Sequence, residues 1–215
     1  MSIKARYVCF SILLGTFSVA NGGIGRADSI LTAALQGRNH SRLQDISIES
    51  VSLATPFVEI SWMFYLGCTG RADDDAYATE TASLAASSYL ITSAVSLTMK
   101  YAIRRERPQR DYQPRLWNTR ITPSFPSGHT AFSAAMATMA ASRYPQSAGV
   151  AFLYATVSAY SQVYTGNHYL GDVLAGAVVG YLASALILRV EQDRDTHSTA
   201  GENGILPALS LELSF

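Results

Sequence analysis

Pro123-Ser124-Phe125-Pro126-Ser127-Gly128-His129, followed by the small and apolar residues of 130–141, reads as an extended approach that turns into a helix. Proline fixes its own φ and pushes the preceding residue out of the helical region, so Pro123 and Pro126 hold the approach open. Ser127 is a good N-cap, Gly128 lets other groups come close to the backbone, and His129 falls in the first turn. The N–H groups of that turn lack helical acceptors and sit at the positive end of the macrodipole, a ready place for an anion. Alone, Ser127-Gly128-His129 needs to be no more than a cap; its neighbours give it a chemical meaning.

Working outward, the chain reads as helices. Residues 76–105 contain no Gly or Pro and end before Pro108, which predicts one long helix. Residues 109–125 form a linker rich in Arg and aromatics, including Tyr112 and Trp117. Further helices are predicted over 129–142, 148–164 and from His168 to about Val190. The last carries Ala175, Gly176, Ala177, Gly180, Ala183 and Ala185, a slim surface suited to close packing. Residues 46–66 are more apolar, with Glu59 inside, and predict another helix; 67–75 read as a turn whose aspartates lead into the next helix. Residues 27–50 are mixed, with room for one short helix. The expectation is therefore an all-α bundle of about five to six helices, membrane-associated or integral. In the tail the last residues, 205–215, alternate like a strand.

The N-terminus has the layout of an export signal: Lys4 and Arg6, an apolar run over 7–19, then small residues. The expected organisation is a leader at 1–22 (or a first membrane helix), a helical domain at 23–190 and a tail at 191–215. Cleavage would leave Cys68 as the sole cysteine, so packing, not a disulfide, must hold the fold. Of the 16 basic and 16 acidic residues the leader holds two basic ones, so the remainder is slightly acidic. Nothing in that balance points to nucleic acid.

The charge is unevenly spread. Seven basic residues against two acidic fall between Lys100 and Arg120, a cluster that repels itself unless something negative binds it. Beyond the Ser127 turn, His168 and Asp172 stand four apart, where a carboxylate can orient an imidazole and stabilise its charged form. Together these groups suit a phosphoryl group: Lys and Arg hold its oxygens, His168 attacks phosphorus, Asp172 orients His168, and His129 protonates the leaving oxygen. Phosphoryl transfer is mainly positioning and charge stabilisation, and no cluster with metal-ligand spacing is apparent, so no cofactor and no metal are expected.

The order Lys100-x6-Arg107-Pro108, then Pro126-Ser127-Gly128-His129, then Ser161-x6-His168-x3-Asp172 resembles the type 2 phosphatidic acid phosphatase family, whose superfamily includes class A acid phosphatases and vanadium haloperoxidases. The resemblance spans residues 100–172 and continues through Gly176. It implies an all-α bundle, a phosphohistidine intermediate on His168, His129 as general acid, Asp172 as the orienting group, and Lys100, Arg107, Ser127 and Gly128 around the phosphate. One position departs: the family's third motif begins Ser-Arg, whereas Ser161 is followed by Gln162. Gln162 still donates hydrogen bonds, but losing the charge is expected to cost on the order of 2–4 kcal/mol of transition-state stabilisation unless Arg104 or Arg105 compensates.

The expected partner is a phosphorylated lipid or small phosphomonoester, with the membrane and without nucleic acid, at the periplasm or the periplasmic face of a bacterial inner membrane. Residues 82–99, 148–164 and 173–188 carry no formal charge and suit insertion. Glu59 and the Arg-rich loop, which would lie outside against the positive-inside trend, argue for an exported, peripherally associated bundle. Three other readings share the motifs: a soluble non-specific acid phosphatase, a weakly active phosphate- or headgroup-binding protein, and a vanadium haloperoxidase.

Overall fold

The computed structural model describes residues 23–36, 41–108 and 122–202; the leader (1–22), most of the Arg-rich linker with Tyr112 and Trp117, and the strand-like tail lie outside the described residues. Six α-helices and no strand are present among the described residues: α1 (Gly23–Gln36), α2 (Arg42–Ala72), α3 (Ala76–Ile103), α4 (Gly128–Arg143), α5 (Ala148–Tyr164) and α6 (Leu170–Glu202), with a 3₁₀ turn at Pro145–Ser147. The expected all-α bundle is observed.

Helix α4 is the axis, packing against α2, α3, α5 and α6. Most of its residues are Ala, Ser, Thr or Gly, with Ala131, Ala135 and Ala137 fully buried, so neighbouring backbones approach closely. On α6 the slim surface expected from sequence does this work. A Cβ at Gly176 would strike the Ser127 carbonyl, and one at Gly180 the Ala131 carbonyl. Ser184 Oγ donates to the Ala135 carbonyl (2.9 Å) and pairs with Ser88 Oγ of α3 (2.6 Å), tying three helices. Gly180→Ala is expected to force α6 off α4 and cost about 1–3 kcal/mol, read as a lower unfolding midpoint in detergent. A midpoint equal to wild type would show that the crossing tolerates a methyl group.

Two helices differ from expectation at both ends. Helix α2 begins at Arg42, where Ser41 Oγ accepts from Gln44 N (3.1 Å), and continues through the predicted turn to Ala72. Gly67 and Gly70, read as turn residues, are helical; a Cβ on Gly70 would overlap Thr79 of α3, so the glycine serves a close crossing. The turn shrinks to Asp73 and Asp74, after which Asp75 caps α3 by accepting from Ala78 N (3.1 Å). At the other end α6 runs past Val190 to Glu202 and starts at Leu170, leaving His168 just ahead of it.

The distribution of polarity is inverted relative to a water-soluble bundle. Helix α2 buries Asp45, Glu49, Ser52, Thr55 and Glu59, while Leu43, Phe57, Ile60, Phe64 and Tyr65 point outward. Leu90 of α3, Val150 and Leu153 of α5 and Leu174 and Leu186 of α6 are likewise exposed. Intramembrane carboxylates face the bundle interior and apolar side chains face lipid, so Glu59 is no obstacle to insertion: its Oε1 accepts from Ser133 Oγ (2.6 Å) inside. Helices α2, α3 and the part of α6 up to Thr196 are each long and apolar enough to cross a membrane.

Candidate active site

The three sequence constellations converge on one cavity of about 520 Å³, within the range of ligand pockets. Lys100 from α3, Arg107 from the segment after it, Gly128 and His129 from α4, Gln162 from α5 and His168 from the α5–α6 loop all line it. Ser127 and Asp172 stand behind the wall.

Each side chain is held by the backbone that the sequence builds around it. Ser127 is the α4 cap: its Oγ accepts from Thr130 Oγ1 (3.0 Å) and Thr130 N (3.4 Å), and its own N–H donates to the Asp172 carbonyl (2.9 Å). Ser127 thus positions the turn and is not itself a cavity wall. A Cβ at Gly128 would meet no protein atom, so the glycine leaves room beside the first-turn N–H groups of α4. The Lys100 ammonium donates to the carbonyls of Pro126 (2.7 Å), Pro123 (2.9 Å) and Ser124 (3.5 Å). It delivers charge to the cavity and pins the approach to α4. Arg107 donates through Nε and one terminal nitrogen to the Thr122 carbonyl and Oγ1 (both 3.1 Å), and through the other nitrogen to the Asn167 carbonyl (2.7 Å). That second nitrogen also lies 3.2 Å from His168 Nε2.

His168 is buried, and its two ring nitrogens have different surroundings. Nε2 is on the Arg107 side, where an N–H donor favours an unprotonated nitrogen. Nδ1 is on the Asp172 side, 3.7 Å from Oδ2 and 3.5 Å from Ser124 Oγ. The direct carboxylate distance is too long for a hydrogen bond, and Ser124 spans it by donating to Asp172 Oδ2. Asp172 Oδ2 also accepts from Tyr169 N (3.0 Å), and its Oδ1 from Arg105 (2.6 Å). Burial, with Arg107 and Lys100 adding to it and Asp172 opposing it, pushes His168 down to about 4. The imidazole is neutral at physiological pH and keeps a lone pair for the cavity. Burial followed by Arg107 and Lys100 also takes His129 down to about 4. A bound dianion between those cations reverses their effect and favours the protonated imidazole, the form that gives a proton to a leaving group.

Gln162 is fully buried, donating to Ser52 Oγ (2.8 Å) and accepting from Asn167 Nδ2 (3.3 Å). The expectation that Arg104 or Arg105 replaces the charge missing here does not hold. Arg104 is exposed and its Nε donates to the Tyr101 carbonyl (3.0 Å), while Arg105 is committed to Asp172 and Asp28 behind the site. Sequence reasoning missed Ser124, Thr122, Asn167 and Asp28, and it took Glu59 only as a break in an apolar run. On the cavity wall facing α4 lie Glu49, Ser52 and Glu59 of α2. Phe57, which also lines the cavity, is 72% exposed on the apolar outer surface, so the cavity reaches that surface.

The model of the PAP2 superfamily matches residues 81–195, more than half of the chain and all of the site except α1 and α2. The chain belongs to the PAP2 superfamily. Among solved structures, this PAP2 protein resembles a transmembrane PAP2 type phosphatidylglycerolphosphate phosphatase from Bacillus subtilis, with a TM-score of 0.69 at 18% identity over 89% of this chain and 98% of the other. It also resembles LpxE from Aquifex aeolicus, with a TM-score of 0.61 at 20% identity over 74% of this chain and 93% of the other. No curated protein sequence matches it significantly. At these identities the two structures speak for the fold alone, a helical bundle; its three helices long and apolar enough to cross a membrane and their outward apolar faces suit membrane association.

Proposed function

We propose that this PAP2 protein is a lipid phosphate phosphatase that works through a phosphohistidine on His168. The observation that carries the reading is a buried His168 that lines the cavity with Arg107, 3.2 Å from its Nε2, and with Gly128 and His129 at the α4 N-terminus. Phosphate oxygens sit between Arg107, Lys100 and the N–H groups of Gly128 and His129. Nε2 attacks phosphorus, the P–O bond to the alcohol breaks, and His129 gives its proton to the leaving oxygen. Positive charge spreading onto His168 is met at Nδ1 by Ser124 and Asp172. Water then attacks the P–N bond with His129 taking its proton, releasing inorganic phosphate and restoring both imidazoles.

A lipid substrate is supported by Phe57 at the junction of cavity and apolar surface and by the lipid-phosphate substrate named for the Bacillus subtilis protein of similar fold. The outward apolar faces of α2, α3 and α6 favour this reading over a soluble acid phosphatase. The signal-like N-terminus supports a site on the periplasmic face. The test is phosphate release by the purified chain in detergent, with chelator present, from phosphatidic acid and from para-nitrophenyl phosphate. Release from both, with at least a roughly tenfold higher kcat/KM for the lipid, is expected from the added apolar contact, which is worth about 1.4 kcal/mol per factor of ten. Preference for the aryl ester would remove the lipid assignment, and release only without chelator would remove the metal-independent mechanism.

A further inference from the structure

Helix α1 lies outside the residues that the PAP2 model matches, yet it is bonded to both ends of the loop that carries His168. At the near end, Gln36 Nε2 donates to the Val163 carbonyl in the last turn of α5 (2.9 Å). At the far end, Thr32 Oγ1 accepts from Leu170 N (2.9 Å) and Asp28 Oδ1 from Gly171 N (2.8 Å), two first-turn N–H groups of α6 that have no helical acceptor. Gly171 has no room for a Cβ because the Asp28 carboxylate occupies it. Asp28 Oδ2 accepts from Arg105 (2.7 Å), and the other terminal nitrogen of Arg105 bonds Asp172 Oδ1 (2.6 Å). Tyr169 stacks on the guanidinium, its ring centroid 3.9 Å from Cζ. Asp28, Arg105 and Asp172 are all at least about nine-tenths buried.

We infer that Asp28 and Arg105 are positioning residues for the reaction, α1 serving as a strap that fixes Asp172, and through it His168, in place and in charge. The geometry separates this from simple loop packing. Arg105 shares its charge between two carboxylates, so the field that Asp172 exerts on His168 depends on Asp28. Acting on His168 are Asp172 from α6, Arg107 from the segment after α3 and Lys100 from α3, and the same cavity is lined by His129 of α4 and by Glu49 and Glu59 of α2, which both substitutions leave in place; Arg105 and Asp28 act from behind Asp172. Removing the Asp28 charge leaves Arg105 undivided on Asp172 and makes the His168 cation less favourable. Removing the Arg105 charge frees Asp172 and makes that cation more favourable. Two substitutions in one network therefore move one titration in opposite directions, which a loss of packing does not do.

The inference rests on the phosphatase reading for its catalytic consequence but not for its test. The chain has four histidines, and ¹⁵N-histidine NMR of the full chain in detergent follows each, His168 being assigned by its absence in His168→Ala. In Asp28→Asn the His168 titration is expected to move to lower pH, and in Arg105→Gln to higher pH, each on the order of one pH unit. With phosphatidic acid, Asp28→Ala is expected to lower kcat about tenfold with KM little changed, the scale on which outer partners of a functional histidine act, and Asp28→Asn to retain more activity. Titrations that coincide with wild type, or that move the same way in both variants, overturn the strap. Should Arg105→Gln not fold, an unmoved titration in Asp28→Asn alone overturns it. A chain that releases no phosphate refutes the catalytic reading, while the NMR titration still decides the strap.

Discussion

His168→Ala is expected to lower kcat at least about 10⁴-fold on phosphatidic acid and on para-nitrophenyl phosphate, the scale seen when a covalent nucleophile is removed. His168 has no exposed surface to speak of, Arg107 stands 3.2 Å from Nε2, and Nδ1 faces Ser124 and Asp172. Among the described residues that line the cavity the other imidazole is His129, which has the opposite task in the proposed mechanism. The two roles separate by leaving group. His129→Ala is expected to slow alkyl esters about 10²–10⁴-fold and aryl esters much less, because a phenolate leaves without a proton. Rapid quenching with labelled substrate adds a direct reading: phosphate bound to the protein in wild type, accumulating with an aryl ester in His129→Ala, and absent in His168→Ala. Turnover of His168→Ala within tenfold of wild type would refute the phosphohistidine mechanism.

Lys100→Met is expected to do two things at once. The ammonium holds the carbonyls of Pro123, Ser124 and Pro126, so its loss strips hydrogen bonds from the segment that sets Ser124 behind His168 and presents the α4 N-terminus. Each buried carbonyl left without a donor costs about 1–3 kcal/mol, and the segment relaxes to recover part of that. The unfolding midpoint falls, and with it the alignment of Ser124 with Asp172. The cavity also loses a fixed positive charge where phosphate oxygens gather. Removal of one preorganised stabilising group costs about 10²–10³ in rate, and kcat/KM is expected to drop by at least that much. Lys100→Arg will not restore it, since a planar fork cannot meet three carbonyls converging on one point. Wild-type stability in Lys100→Met would show that the carbonyls find other donors, and wild-type kcat/KM would remove Lys100 from the phosphate site.

The absence of the family's arginine at position 162 reads differently once the surroundings are known. Gln162 is not a gap filled by a nearby arginine; it is a fully buried amide bonded to Ser52 and Asn167. In that position it ties α2 to the loop that carries His168. In the proposed phosphate site the positive charge then rests on Arg107, Lys100 and the α4 N-terminus.

Much of this was legible in the sequence because it is short-range. Helix existence followed from residue type: long runs without Gly or Pro, Ser127 as a cap, aspartates leading into α3, Pro108 as a stop. The order of Lys100, Arg107, Ser127-Gly128-His129, His168 and Asp172 was enough to propose one anion site, since each group stands at a helix end where backbone geometry aims it. The slim face of α6 was equally readable, because small residues at helical spacing have few other uses. What sequence left undecided depends on which faces meet. Glu59 looked like a defect in an apolar segment, and only the packing of α2 on α4 brings it to Ser133. Gly67 and Gly70 looked like a turn, and only the α2–α3 crossing keeps them helical. Arg105 looked like a spare cation for the phosphate, and only the fold turns it away from the cavity towards Asp28, far off in the chain, and Asp172. A residue's type fixes what it can bond, and its neighbours along the chain fix the local path. Which of several possible partners a buried charge takes is settled by desolvation, which favours the arrangement in which Arg105 meets both Asp28 and Asp172.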